Sequence, residues 1–384
     1  MAHFGDFQFQ FYGQGLAGFV SDLPFTFADL ERRAEEALPD GIFGYVSGGA
    51  GDEHTQDVNV SALRQYGFVP RMLRDRSARS MKAEFLGRTF ESPVFLCPVG
   101  VLGAVRPRGD LETAAAAREL DAPVVFSTLS AATLEEVAAE RGSAFGVFQL
   151  YPSSDRELNA SFVARAEQAG FDAIAVTVDT GTLGWRPRDL AHGYLPMLQG
   201  QCIANYLADP RFLEIAGVKN AEDLPLQRAG LVWASIFAHP SFSWEDVDWL
   251  RTQTKLPIMV KGLCDPRDVR LAAEHGVDAV LYSNHGGRQA NGGLAAIHGL
   301  GAAVEAAGEV PVLFDSGVRD GVDVLRAVAL GAKMVGIGRP YVYGLALAGR
   351  RGIEHVVRCL LAEADLTMAV NCYLSLDELA AQRV

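Results

Sequence analysis

One pattern repeats eight times along the chain from about residue 92. A short, almost continuously apolar run is followed by a loop with Gly, Ser or Pro, and then by a helical stretch rich in Ala, Glu and Arg. The apolar runs are rich in β-branched residues, which is typical of strands buried on both faces of a parallel sheet. They cover residues 93–100, 122–128, 144–151, 172–179, 256–262, 278–287, 311–317 and 333–340.

A parallel barrel closes with eight strands that alternate with helices, and the chain has eight such runs. The repetition therefore predicts an α/β fold of the TIM (β/α)8 type. A doubly wound open sheet is the competing arrangement, and it is disfavoured because no G-x-G-x-x-G follows the first run. In a barrel of this type we expect the active site at the carboxyl ends of the strands.

Two segments lie outside the repeat. Residues 1–91 contain a helical pattern, FADLERRAEEAL, and a hairpin pattern, MKAEFLGRTFES, which could close the lower end of the barrel. Residues from about 180 to 242, after the fourth run, are far longer than an ordinary connection, and such an insertion typically forms a lid or a wall of the active site. We expect residues 1–384 to form one domain, with the barrel in 92–384.

Composition and charge exclude several classes of partner. The formal net charge of −13 argues against nucleic acid and anionic membranes, both of which favour a basic face. No run approaches the roughly 18 apolar residues of a membrane span, and the N-terminus lacks the basic and apolar regions of a signal peptide. The five cysteines are scattered, without zinc-type spacing. We therefore expect a soluble, cytoplasmic protein with free thiols and no bound metal.

Polar residues gather where the predicted strands end. Each of them alone could simply cap the next helix or face solvent, but their convergence on one rim of a barrel favours a ligand site. The residues are Gln149, Tyr151, Thr177, Asp179, Lys261, Ser283, His285, Arg288, Asp315, Arg319 and Arg339, the last of which directly follows Gly338.

The loops after the last two strands, DSGVRDG and GIGRP, have the composition of a barrel phosphate site. Glycines allow backbone N–H groups to approach a ligand, a helix N-terminus adds positive potential, and arginine adds charge. Lys261, which follows the apolar run LPIMV, would lie near the middle of such a ligand. The pattern predicts that a phosphorylated ligand binds, without identifying it.

The stretch YSNHGGRQANGG, residues 282–293, carries a histidine and an arginine among four glycines. Arginine can clamp a carboxylate with two parallel hydrogen bonds, and histidine can accept a proton near neutral pH. Asp179, at another strand end, is placed to hold the imidazole. The combination suits a substrate with a removable proton beside a carboxylate, such as a 2-hydroxy acid.

The motifs SNHGGRQ, TVDTGTLGWRPRD, FQLY, LFDSGVR and GIGRP occur in order along the chain. Together they resemble the FMN-dependent 2-hydroxy acid oxidases over nearly the whole sequence. The N-terminal FGDFQFQFYGQGL, the segment YVSGGAGDEHTQ and the insertion AHGYLPMLQGQCIANYLADPRF look closest to the lactate 2-monooxygenase branch. The insertion residues VKNAEDLPLQRAGLVWASIFAHPSF are only loosely similar, which leaves the substrate open.

The resemblance implies three catalytic residues. His285 would accept the substrate proton while the flavin is reduced, Asp179 would pair with His285, and Tyr151 would bond the substrate oxygen. Substrate binding would fall to Arg288 with Tyr45 on the carboxylate, and to Arg186 nearby. Tyr206 is a candidate lid residue over the substrate, with packing inside the lid as the alternative.

The resemblance also implies the cofactor FMN and the residues that hold it. They would contact the isoalloxazine ring, the ribityl chain or the phosphate. These residues are Pro98, Val99, Gly100, Ser127, Gln149, Thr177, Lys261, Ser283, Asp315, Gly317, Arg319, Gly338 and Arg339.

The activity implied by the resemblance is oxidation of L-lactate by O2 to acetate, CO2 and water. Gly100 stands where several oxidases of the family have Ala, and this position affects how long pyruvate is retained. The alternative is an oxidase that releases a 2-oxo acid and H2O2, acting on lactate or on a larger hydroxy acid. A dehydrogenase with another electron acceptor and a non-redox flavin- or phosphate-binding barrel are more distant alternatives. The family also implies a homotetramer or octamer.

Overall fold

The computed structural model describes residues 3–381 and contains a closed barrel of eight parallel strands. Each barrel strand pairs with the next one in the sequence, and the last pairs with the first. The predicted TIM-type α/β barrel is confirmed. The strands, including a separate two-stranded hairpin at the start, are β1 (Ala83–Phe85), β2 (Arg88–Phe90), β3 (Val94–Leu96), β4 (Val124–Ser127), β5 (Gly146–Leu150), β6 (Ala173–Thr177), β7 (Ile258–Leu263), β8 (Ala279–Tyr282), β9 (Val312–Phe314) and β10 (Val335–Ile337).

The barrel strands are shorter than the apolar runs that predicted them. The run 278–287 ends as a strand at Tyr282, and the run 311–317 ends at Phe314. The residues that follow leave the hydrogen-bonded sheet and form the loops of the upper rim. The strands themselves are buried almost throughout, because the barrel interior covers one face and the surrounding helices cover the other.

The hairpin of β1 and β2 forms where the sequence predicted it, and it pairs antiparallel. Phe85 and Phe90 pack edge-on against Phe145, with ring centroids 5.9 and 5.5 Å apart. Phe145 directly precedes β5, so the hairpin covers the amino-terminal end of the barrel. This agrees with the expected lower closure.

Helices surround the barrel and fill the two extra segments. Several begin at a capping side chain; Thr133 and Asp155, for example, each accept a hydrogen bond from the first turn. The helices are α1 (Gln8–Leu16), α2 (Phe27–Ala37), α3 (Asp40–Ser47), α4 (His54–Leu63), α5 (Leu102–Val105), α6 (Gly109–Leu120), α7 (Leu134–Arg141), α8 (Arg156–Gln168), α9 (Pro187–His192), α10 (Ala204–Leu207), α11 (Pro210–Ile215), α12 (Leu226–Phe237), α13 (Trp244–Arg251), α14 (Pro266–Glu274), α15 (Ala296–Ala307), α16 (Gly321–Ala329), α17 (Arg339–Asn371) and α18 (Leu376–Ala380). Short 3-10 turns lie at Phe4–Phe7, Pro196–Gln199, Ala221–Asp223 and His285–Gly287.

The N-terminal extension reaches the upper end of the barrel as well as the lower. The carbonyls of Val46 and Gly48, at the end of α3, accept hydrogen bonds from Arg288 and Arg339 at the carboxyl rim. Of the N-terminal extension, only the hairpin therefore closes the lower end of the barrel. The helical part of the extension is a wall of the upper face.

The insertion between β6 and β7 carries α9 to α12, ahead of α13, which is the regular helix of that barrel unit. It crosses from β6 to the loop after β4, where the backbone N–H of Ala204 donates to the carbonyl of Ser130 at 2.9 Å. Within residues 3–381, no helix is long and apolar enough to cross a membrane.

Candidate active site

His285 and Asp179 form a hydrogen-bonded pair at the carboxyl rim. Nδ1 of His285 lies 2.8 Å from Oδ1 of Asp179, and both side chains are largely shielded from solvent. His285 lies in the 3-10 turn after β8 with a φ of +56°, and Gly286 follows at +63°. Left-handed backbone is uncommon outside glycine, although histidine is among the residues enriched there. The glycine-rich motif therefore bends the chain so that the imidazole faces the cavity.

The surroundings set the charge of this pair. Burial lowers the pKa of His285 below its ordinary value, and the charge of Lys261 acts in the same direction, while Asp179 partly opposes both. Burial alone would raise the pKa of Asp179, but the charges of His285 and Lys261 hold it below its ordinary value. His285 is therefore neutral near pH 7, with a carboxylate ready to stabilise its protonated form.

Two arginines and a tyrosine face the same space. The guanidinium carbons of Arg288 and Arg186 lie 5.1 and 5.8 Å from the centre of the Tyr45 ring. Nε of Arg186 donates to the carbonyl of Arg288 at 3.0 Å, which fixes the two residues relative to each other. Burial and the charge of Arg186 lower the pKa of Arg288. The cluster is a natural receptor for a carboxylate.

Tyr151 also lines this cavity. Burial raises the pKa of its phenol, so the hydroxyl stays protonated and can donate a hydrogen bond. Its backbone N–H donates to Oγ1 of Thr128 at 3.0 Å, and its ring packs against Phe237 with centroids 5.3 Å apart. Both contacts hold the side chain at the strand end.

Lys261 is almost fully buried and lies between two carboxylates. Its Nζ is 3.7 Å from Asp315 and 3.8 Å from Asp179, and it donates to Oγ of Ser283 at 3.0 Å. Burial alone would lower the pKa of Lys261, but the negative charges of Asp315 and Asp179 outweigh this effect and raise it. The next residue, Gly262, has a φ of +107°, and a Cβ there would lie 2.6 Å from Cγ of Asp179. Only glycine allows Asp179 to approach this strand so closely.

Deeper in the barrel, polar atoms are buried without partners. Among residues 3–381, Nε2 and Oε1 of Gln149 and Oγ1 of Thr177 have no hydrogen-bond partner, although buried polar atoms are usually paired. Ser127 lies beside them, because it is paired in register with Gln149. Together they offer both donors and acceptors to the polar edge of a flat heterocycle.

The loops after β9 and β10 concentrate positive charge. Burial, and then the charges of Arg319 and Arg288, lower the pKa of Arg339 to about 9, and burial also lowers the pKa of Arg319. Within the described part of the chain, none of these three arginines forms an ion pair. Gly338 directly precedes α17, and Gly317 has a φ of +86°. Half-buried cations beside a helix N-terminus fit a phosphate dianion.

One cavity joins the groups around His285, Lys261 and the three arginines, whereas Ser127, Gln149 and Thr177 are not among the residues that line it. Of the expected cofactor residues, Pro98, Val99, Gly100, Lys261, Asp315, Gly317, Arg319, Gly338 and Arg339 line it, together with Tyr45, Tyr151, Arg186, His285 and Arg288. Ser283 lies beneath it and donates to Asp315 at 2.5 Å. The unpaired amide of Gln149 and the cation of Lys261 fit the ring of FMN, Asp315 fits its ribityl chain, and the arginines without an ion pair among residues 3–381 fit its phosphate.

Tyr206 is not brought to this cavity, so the expectation that it covers the substrate is wrong. Its side chain is fully buried beneath the insertion, edge-on to Phe162 and Phe212 at 5.0 and 5.4 Å. It packs inside the lid, as the alternative held.

Two residues that the sequence did not mark, Gln289 and Gln56, position the arginines. Gln289 accepts a hydrogen bond from Arg186 at 2.5 Å, and Gln56 accepts one from Arg339. Gln289 follows Arg288 directly in the motif, which was the available signal. Nothing local to Gln56 marks it, because its partner is 283 residues away.

Comparison with known proteins agrees with this geometry. The family described as FMN-dependent dehydrogenase matches residues 34–384. An L-lactate oxidase from Lysinibacillus sphaericus is 42% identical over 357 residues, which are 93% of this chain and 91% of the relative. A peroxisomal (S)-2-hydroxyacid oxidase from Arabidopsis thaliana is 38% identical over 358 residues, 93% of this chain and 95% of the relative.

Solved structures show the same likeness. A mandelate oxidase with (S)-4-hydroxymandelic acid is 35% identical, with a TM-score of 0.83, covering 93% of this chain and 98% of the other. A variant of an active chimera of (S)-mandelate dehydrogenase is 32% identical, with a TM-score of 0.84, covering 94% and 98%. The chain belongs to the FMN-dependent dehydrogenase family. It is an FMN-dependent oxidoreductase that oxidises 2-hydroxy acids.

Proposed function

We propose that this protein oxidises L-lactate with O2 and keeps the pyruvate in its site, so that acetate, CO2 and water are released. The observation that supports a small substrate such as lactate is the wall of the cavity formed by Gly100 and Leu129. A Cβ at Gly100 would lie only 2.8 Å from Cβ of Leu129, so the two residues are in direct contact. Both line the cavity that holds His285 and Arg288, which leaves this end suited to a methyl group.

His285 is the proposed base. Its neutral imidazole takes the proton of the substrate hydroxyl as the C2–H bond breaks, and Asp179 stabilises the imidazolium that forms. FMN, when bound, would supply the oxidant, because it can take the C2 hydrogen with its electron pair as a hydride and be reoxidised by O2, which becomes H2O2 with the proton that His285 held. The lowered pKa of His285 supports this role, because the base form is then present at neutral pH.

Arg288, Arg186 and Tyr45 are proposed to hold the substrate carboxylate, because among residues 3–381 neither guanidinium group has a carboxylate partner closer than 3.7 Å. Tyr151 is proposed to donate to the substrate oxygen. Together these groups fix C2 and its hydroxyl relative to His285, which is the orientation that proton transfer requires.

The cofactor contacts are proposals of the same kind. Pro98, Val99 and Gly100 would lie along the ring, with Ser127, Gln149 and Thr177 at its polar edge. Lys261 would place positive charge beside the ring, where reduction adds negative charge. Ser283 and Asp315 would contact the ring and the ribityl chain. Gly317, Arg319, Gly338 and Arg339 would bind the phosphate.

Whether pyruvate stays in the site decides which products are released. L-lactate and O2 give pyruvate and H2O2, and these two, if they stay together, give acetate, CO2 and water. Gly100, through the family resemblance, and Arg186 of the insertion, which lines the cavity, support retention of pyruvate, because a site enclosed by an insertion slows release. An oxidase that releases pyruvate and H2O2 is the second candidate. It is favoured by the 42% identical relative, which is an L-lactate oxidase.

The test is aerobic turnover of the FMN-loaded protein with L-lactate, measuring acetate, pyruvate and H2O2 in the same sample. Acetate with little peroxide is expected. Pyruvate with an equal amount of peroxide would establish the oxidase instead. No turnover of lactate, with turnover of mandelate or a longer 2-hydroxy acid, would overturn the proposed substrate.

We also propose a homotetramer or octamer. Helix α1 and the segment after it expose Phe9, Tyr12, Leu16 and Phe19, which supports burial against another copy. The molar mass measured by light scattering during size-exclusion chromatography would test this. The cytoplasmic location stays a prediction.

A further inference from the structure

We propose that Asn205, in helix α10 of the insertion, is a positioning residue that sets which substrate size the cavity accepts. It acts through Leu129, the residue that closes the cavity against Gly100. The inference rests on the proposed function, in which Leu129 faces the side chain of a 2-hydroxy acid.

Both polar atoms of the Asn205 side chain are used. Oδ1 accepts a hydrogen bond from the backbone N–H of Leu134 at 2.7 Å, and Nδ2 donates to the carbonyl of Thr128 at 2.9 Å. The side chain is buried, so water does not compete for these bonds. One residue thus ties together the two ends of the loop Thr128–Leu134.

The neighbouring residue completes the attachment. The N–H of Ala204 donates to the carbonyl of Ser130 at 2.9 Å. The carbonyls of the residues on either side of Leu129, Thr128 and Ser130, are therefore both bonded to α10. Two fixed peptide groups leave the backbone of Leu129 little freedom, and its side chain must point where α10 directs it.

Helix α10 is itself anchored to the barrel body. The carbonyl of Asn205 accepts a hydrogen bond from Nη1 of Arg165, on α8, at 2.9 Å. The same guanidinium pairs with the buried carboxylate of Asp209 at 3.0 Å. This part of the insertion is a fixed support for the wall, so its position is transmitted to Leu129.

The same loop connects to the reacting groups. Oγ1 of Thr128 donates to the carbonyl of Gln149 at 2.6 Å and accepts from the N–H of Tyr151 at 3.0 Å. Asn205 therefore holds the end of β4, from which Leu129 enters the cavity, and Thr128 connects this end to that of β5, which carries Tyr151. Loss of its amide frees the Thr128 carbonyl and lets the wall withdraw from Gly100.

The experiment compares Asn205→Ala with Asn220→Ala in the FMN-loaded protein. Asn220 lies in the same insertion, but its side chain makes an exposed bond to Asp223 at 3.1 Å. For each protein, kcat/KM is measured with L-lactate and with L-mandelate. We expect Asn205→Ala to lower the preference for lactate about tenfold or more, since one methylene in a pocket already changes it about 10- to 200-fold. We expect the control to match the wild type.

A second readout does not depend on turnover. Pyruvate and benzoylformate are titrated into the oxidised protein, and the change in flavin absorbance gives each Kd. The ratio of the two Kd values should move toward benzoylformate in Asn205→Ala. A merely structural residue would lower the melting temperature without moving either ratio, and that result would overturn the inference.

If Asn205→Ala does not fold, Asn205→Asp serves in its place. It keeps the acceptor for Leu134 and removes the donor to Thr128, so a shift in both ratios is again expected, and unchanged ratios would overturn the inference. Failure of the proposed function is seen separately in the wild-type protein, which would then either not turn over lactate or release pyruvate with an equal amount of H2O2.

Discussion

Replacing Asp179 with Asn tests whether the His285–Asp179 pair is the acid–base centre. The change keeps the size of the side chain and removes the charge that faces Nδ1 of His285 at 2.8 Å. Both residues are largely buried, so solvent cannot replace the lost carboxylate. The variant should bind FMN, because the phosphate site is untouched.

The size of the effect follows from this one contact. A hydrogen bond to a charged group is worth about 1.5–3 kcal/mol, so losing it in the protonated state of His285 should lower kcat/KM for lactate about 10- to 150-fold. The wild-type rate should rise with pH as His285 loses its proton and level off above its pKa, which lies below the ordinary value. Without the carboxylate that raises this pKa, the acidic limb should move to still lower pH.

The assay is anaerobic reduction of the bound flavin by L-lactate in a stopped-flow instrument, from about pH 5 to about pH 8. Asp248→Asn is the matched control. Asp248 also lies 2.8 Å from a histidine Nδ1, that of His275, but on the outer surface. Wild-type rates in Asp179→Asn, with an unmoved acidic limb, would refute His285 as the base.

Three further predictions follow from single contacts. Gly100→Ala should push against Leu129, whose Cβ would lie 2.8 Å from the new Cβ. The share of pyruvate and H2O2 among the products should therefore rise. An unchanged ratio of pyruvate to acetate would contradict the idea that this wall retains pyruvate. Arg339→Met should weaken FMN binding about 10- to 150-fold, measured by titrating the apoprotein with FMN, because a charge-assisted bond to phosphate is lost. Asp110→Asn concerns stability. Burial raises the pKa of Asp110 to about 6, so its charge destabilises the fold increasingly as pH rises from about 4 to about 6. The variant should be more stable than the wild type above that range, by up to about 3 kcal/mol in urea unfolding, and should lose the advantage near pH 4. Equal stabilities at pH 7 would show that the carboxylate is better solvated than its burial implies.

The sequence alone predicts the barrel elements and the His285–Arg288 motif, because the patterns that indicate them lie within short stretches of the chain. Runs of buried β-branched residues followed by helical segments specify a strand and its helix within a few dozen residues, and eight repeats leave the barrel as the closed solution. His285 and Arg288 are marked in the same way, because the glycines that bend the backbone are their neighbours.

Tertiary structure alone decided how the cavity is walled. Val46 and Gly48 reach Arg288 and Arg339 across more than two hundred residues, and Asn205 reaches Thr128 across 77. Tyr206 differs from its expectation for the same reason. A tyrosine in a long insertion has no local periodicity to orient it, and the apolar space beside Phe162 and Phe212 is more favourable for its ring than the polar cavity. Local pattern determines elements and turns, whereas contacts between distant segments depend on how the packed elements meet.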